Sequence, residues 1–127
     1  DSVINWSSII LVLAVVAAIA VCFALAATKP GMKGKEIDAI ARGIITEAGY
    51  GDYFGHALGH SVGLEVHEQP AFSAACETVL EPGMVITNEP GIYIPGDTGV
   101  RIEDLLLVTE NGCESLSHTP HEIVLPC

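Results

Sequence analysis

From Ile9 to Ala27 the chain runs through nineteen consecutive apolar residues, and no charge stands between Asp1 and Lys29. No other stretch restricts the fold as much, because most of such a run must leave water. It is long enough to cross a bilayer. Trp6 ahead of it and Lys29, Lys33 and Lys35 behind it resemble an interfacial anchor and a positive flank. As a secretory signal it lacks a basic start, although Ala24-Leu-Ala26 has the small-x-small look of a cleavage site. The same residues suit an Ala-rich helix packed inside a domain, and the sequence leaves both readings open. A chain that begins at Asp1 without methionine reads as processed or as a fragment.

At 127 residues there is material for one domain with its own core and too little for two. The net charge is -11, and the basic residues are divided between Lys29 to Arg42 and a lone Arg101. Phosphate binding needs clustered positive charge, so nucleic acid is excluded as a partner. Carboxylates interleaved with histidines suit a cation instead, although acidity alone also serves solubility. Cys22, Cys76, Cys113 and Cys127 are scattered with no C-x-x-C pair, which argues against a zinc ribbon and fits a reducing, cytoplasmic setting.

After the turn Thr28-Lys-Pro-Gly31, apolar residues recur at Ile37, Ile40, Ala41, Ile44, Ile45 and Ala48. This spacing predicts a helix from about 34 to 48, ended by Gly49, with Glu36, Asp38, Arg42 and Glu47 on a solvated face. Residues 71 to 80 read as a loop or short turn. Glu81-Pro-Gly83 launches a strand from Met84 to Glu89 that Pro90-Gly91 stops, with Val85, Thr87 and Glu89 on one face. Gly91 to Pro95 is a second strand. A third runs from Gly99 to Thr109, with Arg101, Glu103 and Leu105 on one face and Ile102 and Asp104 on the other. His118 and His121, among Ser, Thr and Pro, read as surface residues.

The chemistry concentrates in His56-Ala-Leu-Gly-His60-Ser-Val-Gly-Leu-Glu-Val-His67-Glu68, where three of the five histidines fall within twelve residues, beside Gly55, Gly59 and Gly63. Imidazole is the commonest metal ligand and proton carrier, and glycine lets backbone come close to a ligand. On a straight strand at ~3.3 Å per residue, His60 and His67 would lie roughly 23 Å apart on opposite faces. Gly59, Gly63, Val62 and Val66 disfavour a helix, so the stretch reads as a kinked strand or loop that ends at Glu68-Gln-Pro70. Taken singly, each histidine would serve as well in a structural role. Glu89 beside Pro-Gly and Glu103 between apolar neighbours are placed where burial is costly without a cation or donors. With His60 they make a set of one imidazole and two carboxylates, suited to Mn²⁺, Co²⁺ or Zn²⁺. An ordinary Arg101–Glu103 ion pair is the plainer alternative.

Three strings, G-H-x-V-G-x-x-x-H-E-x-P at 59 to 70, N-E-P-G at 88 to 91 and R-I-E-D at 101 to 104, resemble in order and spacing the aminopeptidase P and prolidase branch of the pita-bread metallopeptidases. The resemblance covers about residues 28 to 125. Methionine aminopeptidases share some of these elements, but His56 and the R-I-E-D string look like the X-Pro branch. The resemblance implies an α+β fold, half of a pita-bread domain over 29 to 127 behind the apolar segment 1 to 28, with a curved, mainly antiparallel sheet and two helices, one apolar and one amphipathic. It implies a metal-dependent peptidase whose substrate has proline after the scissile bond and whose nucleophile is a metal-activated water. By the same resemblance His60 and Glu89 would hold one metal and Glu103 would bridge two. His67 would stabilise the tetrahedral intermediate or shuttle protons, and His56 and Arg101 would orient substrate.

The departures matter equally. Two further aspartates complete the family's dinuclear centre from the preceding half of the domain, which this chain lacks; Asp97-Thr-Gly99 is no substitute. The metal centre is therefore expected to be partial, and an inactive fragment that binds at most one ion is the alternative. The family's helix before K-P-G is amphipathic, whereas this one is apolar throughout. Association is the expected consequence, as a homo-oligomer, with the missing half, or with a membrane through residues 9 to 27.

Overall fold

A computed structural model describes residues 6–62 and 68–117. Helix α1, Trp6–Ala27, takes up the apolar run. It packs by one stripe: Leu13, Ala14, Ala17, Ala20, Val21 and Ala24 are buried, while Leu11, Val12, Val15, Ile19 and Phe23 are 42–59% exposed. The buried stripe lies mainly against helix α2, Gly34–Glu47, and against strands described below. Polar bonds fix α1 from the domain side. Asn88 Nδ2, fully buried, donates to Val21 O at 3.0 Å, and the Cys113 thiol donates to Leu25 O at 3.2 Å.

Helix α2 begins where Lys33 N donates to Glu36 Oε2 (2.7 Å) and ends where Gly49 takes a φ of +94°, a backbone shape that glycine adopts without strain. Ile37, Ala41 and Ile45 are fully buried, as the spacing predicts. The solvated face assigned to α2 needs correction, however. Asp38 is buried at 1% exposure, because its carboxylate turns inward to the chain that follows the helix.

Seven strands follow among the described residues: β1 Gly59–Ser61, β2 Glu68–Phe72, β3 Val85–Asn88, β4 Gly91–Ile94, β5 Thr98–Arg101, β6 Asp104–Val108 and β7 Cys113–Ser115. All pairings are antiparallel, in a five-stranded sheet ordered β2-β1-β3-β6-β7 and a two-stranded sheet β4-β5. Two differences from the sequence reading stand out. Strand β2 continues through Pro70 to Phe72, whose fully buried ring anchors it in the core. The expected strand from Gly99 to Thr109 is two strands, because Ile102 and Glu103 leave the ladder. The core centres on Phe72, Leu58, Leu80, Ile86, Ile92 and Leu106 under the two helices. Ile86→Val should cost about 1 kcal/mol, read from the denaturation midpoint.

Among the described residues Cys22, Cys76 and Cys113 are unpaired. Burial pushes the Cys113 thiol above its ordinary pKa and outweighs its hydrogen bond with Thr28. A raised pKa leaves less thiolate at a given pH, so exposed Cys22 should be alkylated well before Cys113 at pH 8, as peptide mapping would show.

Candidate metal centre

The hairpin of β3-β4 against β5-β6 is broken once. Asn88 pairs with Asp104 and Gly91 with Arg101, and between these pairs Glu89-Pro90 faces Ile102-Glu103. Pro90 has no N–H for the ladder, so only its carbonyl is used, accepting from Ile102 N at 3.2 Å. This gap brings the two glutamates of the sequence reading to the same place along the hairpin.

Strand β1 carries His60 to it. A Cβ on Gly59 would lie 1.7 Å from Thr87 O, so β1 and β3 approach as only glycine permits. His60 N donates to Thr87 Oγ1 (3.0 Å), and Glu89 N donates to Leu58 O (2.7 Å). The β1–β2 register shifts between His60 and Ser61, where the partner strand passes from Ala71 to Glu68, so the extra residues of this bulge lie on β2.

The two side chains then face each other. His60 Nδ1 lies 3.1 Å from Ser61 O; a carbonyl only accepts, so Nδ1 carries the hydrogen. Nε2 is turned to Glu89 Oε2 at 3.4 Å, with the side chains 19% and 15% exposed. Glu89 Oε2 is buried and has no hydrogen-bond partner among the described residues. An imidazole lone pair against a carboxylate oxygen is unfavourable until positive charge comes between them, as a proton on Nε2 or as a cation. An imidazole nitrogen and a carboxylate oxygen are donors that borderline divalent ions accept.

The remaining expected residues lie differently. Glu103 is exposed, and among the described residues no three His, Cys, Asp or Glu side chains converge as a metal-binding group. Arg101 is exposed as well and forms no ion pair with Glu103 among the described residues. His67, His118 and His121 lie outside the described residues. His56 is half-buried between the Phe54 ring, perpendicular to it with ring centroids 5.0 Å apart, and Tyr93. Its Nδ1 is 2.7 Å from Ala57 O, a carbonyl that only accepts, so Nδ1 carries a hydrogen, and Nε2 lies within hydrogen-bond distance of Tyr93 Oη at 3.1 Å. Sequence reasoning passed over Tyr93, Asp38 and Arg42. For the last two a signal existed, an acid and an arginine at i, i+4.

Known proteins resemble this chain in both sequence and fold. The chain is 62% identical over 101 residues to the Xaa-Pro dipeptidase of Pyrococcus furiosus, covering 80% of this chain and 29% of that protein. Among solved structures, the prolidase from Pyrococcus horikoshii OT3 superposes with a TM-score of 0.86 at 54% identity, over 88% of this chain and 32% of that one. The Xaa-Pro dipeptidase from Bacillus anthracis superposes with a TM-score of 0.88 at 47% identity, over 91% and 32%. The α+β fold is thus the pita-bread fold, and the chain spans about a third of the length of these relatives. The model of metallopeptidase family M24 matches residues 11–110, and the chain belongs to that family.

Proposed function

We propose that this chain is the C-terminal, metal-binding part of an X-Pro peptidase, which hydrolyses the bond ahead of a proline. The observation that carries the reading is the buried Glu89 Oε2, without a hydrogen-bond partner among the described residues and turned to His60 Nε2, at the hairpin gap that Glu89 shares with Glu103. His60 and Glu89 would hold a divalent ion, manganese first, with cobalt or zinc as alternatives, and Glu103, which shares the gap but does not converge on them here, would have to turn in to join them. When bound, the metal lowers the pKa of water and polarises the scissile carbonyl. The chain's own residues do the rest. His56 and Arg101 orient the substrate beside its proline, and His67 moves protons and steadies the developing oxyanion. Exposure of Glu103 and Arg101 fits a face that the rest of a full-length enzyme would cover. The free thiols fit a cytoplasmic setting.

Calorimetric titration with Mn²⁺, beside Glu103→Ala, followed by assay of the same samples on an X-Pro dipeptide, tests this. Two tightly held ions with turnover, both lost in the variant, would mean that the missing ligands come from a partner chain. One weak ion without turnover would mark a metal-binding fragment of the enzyme, and no Mn²⁺ binding would overturn the metal site.

Helix α1 belongs in the domain by this reading, since crossing a bilayer would strip the contacts of its buried stripe. Its outer stripe is where copies would associate. Leu11→Ser with Phe23→Ser should shift sedimentation towards the monomer with little loss of stability; an unchanged distribution would exclude this face.

A further inference from the structure

We infer that Asp38 and Arg42 of α2 are positioning residues, which set the orientation of His56 by gripping the backbone on both sides of it. The inference rests on the X-Pro reading only in taking His56 to meet the substrate. Asp38 and Arg42 stand at i, i+4 on α2, and Arg42 Nε and Nη2 donate to the two carboxylate oxygens at 2.9 and 3.1 Å. Such a pair ordinarily faces water. Here the carboxylate is buried, and both partners reach beyond each other to the segment 54–58. Arg42 Nη1 donates to Phe54 O and Nη2 to His56 O, each at 2.9 Å, while the guanidinium carbon sits 4.2 Å from the centroid of the Phe54 ring. Asp38 Oδ1 accepts from Leu58 N at 3.1 Å. Three points of one short segment are held, with His56 in the middle.

The consequence for His56 is specific. Its ring lies edge-on to the Phe54 ring that Arg42 covers, and its nitrogens are committed to Ala57 O and Tyr93 Oη. It lines an open cleft of about 370 Å³ with Arg42, Phe54 and Ser73. The same segment continues into the metal pair, since Leu58 O accepts from Glu89 N. Only a planar fork with several donors can serve a carboxylate and two carbonyls together while stacking on a ring; lysine cannot. Burying a carboxylate for helix stability alone would gain little.

The test uses imidazole ¹⁵N–¹H spectra of the whole chain, with His56 assigned through His56→Gln, in wild type, Arg42→Lys and Asp38→Asn. Asp38→Asn keeps the side chain's shape and serves if Arg42→Lys does not fold. Backbone amide signals of β3 and β6 report that the fold persists. In each folded variant His56 should lose its single Nδ1–H tautomer signature, and alanyl-proline, followed by shift changes, should bind about tenfold more weakly. Unchanged tautomer and affinity in folded variants would overturn the positioning role and leave a structural pair. If wild type does not bind alanyl-proline while the variants still lose the tautomer signature, the clamp stands and the X-Pro reading falls.

Discussion

Glu89→Gln is expected to weaken Mn²⁺ binding by about 100-fold or more while leaving the metal-free protein as stable as before, or slightly more so. Partners that merely orient metal ligands are worth ~10–100-fold in affinity, so loss of a ligating carboxylate should reach at least the upper end. The stability effect has the opposite sign for a local reason. Glu89 Oε2 is buried without a hydrogen-bond partner among the described residues, and its neighbour is the Nε2 of an imidazole whose Nδ1 holds the hydrogen. A neutral amide there is easier to bury than a carboxylate, and its NH₂ can donate to Nε2. Calorimetry and chemical denaturation on the same two proteins read both effects. Should the metal-free variant lose more than about 2 kcal/mol, Glu89 would be holding a protonated His60 as a structural ion pair.

Gly59→Ala should be the most damaging single change in the site. The new Cβ would meet Thr87 O at 1.7 Å and the Thr87 carbonyl carbon at 2.6 Å, both backbone atoms of a strand paired on its other edge to β6. Neither can move without breaking that ladder, so β1 must leave β3 and take His60 with it. We expect a loss of about 3 kcal/mol or more, the top of the range for overpacking, a Tm lower by roughly 10 °C or more, and Mn²⁺ binding abolished. Gly55→Ala is the control. A Cβ at Gly55 meets nothing within 4 Å, so Tm should stay within a few degrees. Equal behaviour of the two variants would show that the β1–β3 approach is not tight.

Much of this architecture was legible because it is written in local pattern. The stripe Ile37, Ala41, Ile45 has the period of a helix, and Gly49 can end one; the helix observed, Gly34–Glu47, follows from those facts. The stop at Pro90-Gly91 was legible because proline cannot donate to a ladder. The candidate centre was half legible. His60 and Glu89 meet, but nothing local says that Glu103 lies exposed or that the strand carrying it breaks, since that depends on Glu89-Pro90 sitting opposite.

Asp38 marks the boundary most clearly. Read along the helix, it is a polar residue among polar residues. Its burial depends on Phe54, His56 and Leu58, which reach α2 only after the chain has turned back through Gly49 and the 3-10 turn Gly51–Tyr53. Helix α1 is the opposite case: the sequence alone determined that residues 9 to 27 form an uninterrupted apolar run with surface to bury, and it determined the residue types that make a metal centre possible. Which stripe of that helix is buried, which carboxylate lies against which imidazole, and which charged pair holds the segment 54–58 were decided only by tertiary packing. Periodicity is a property of neighbours along the chain, whereas burial and ligation depend on residues that sequence distance does not relate.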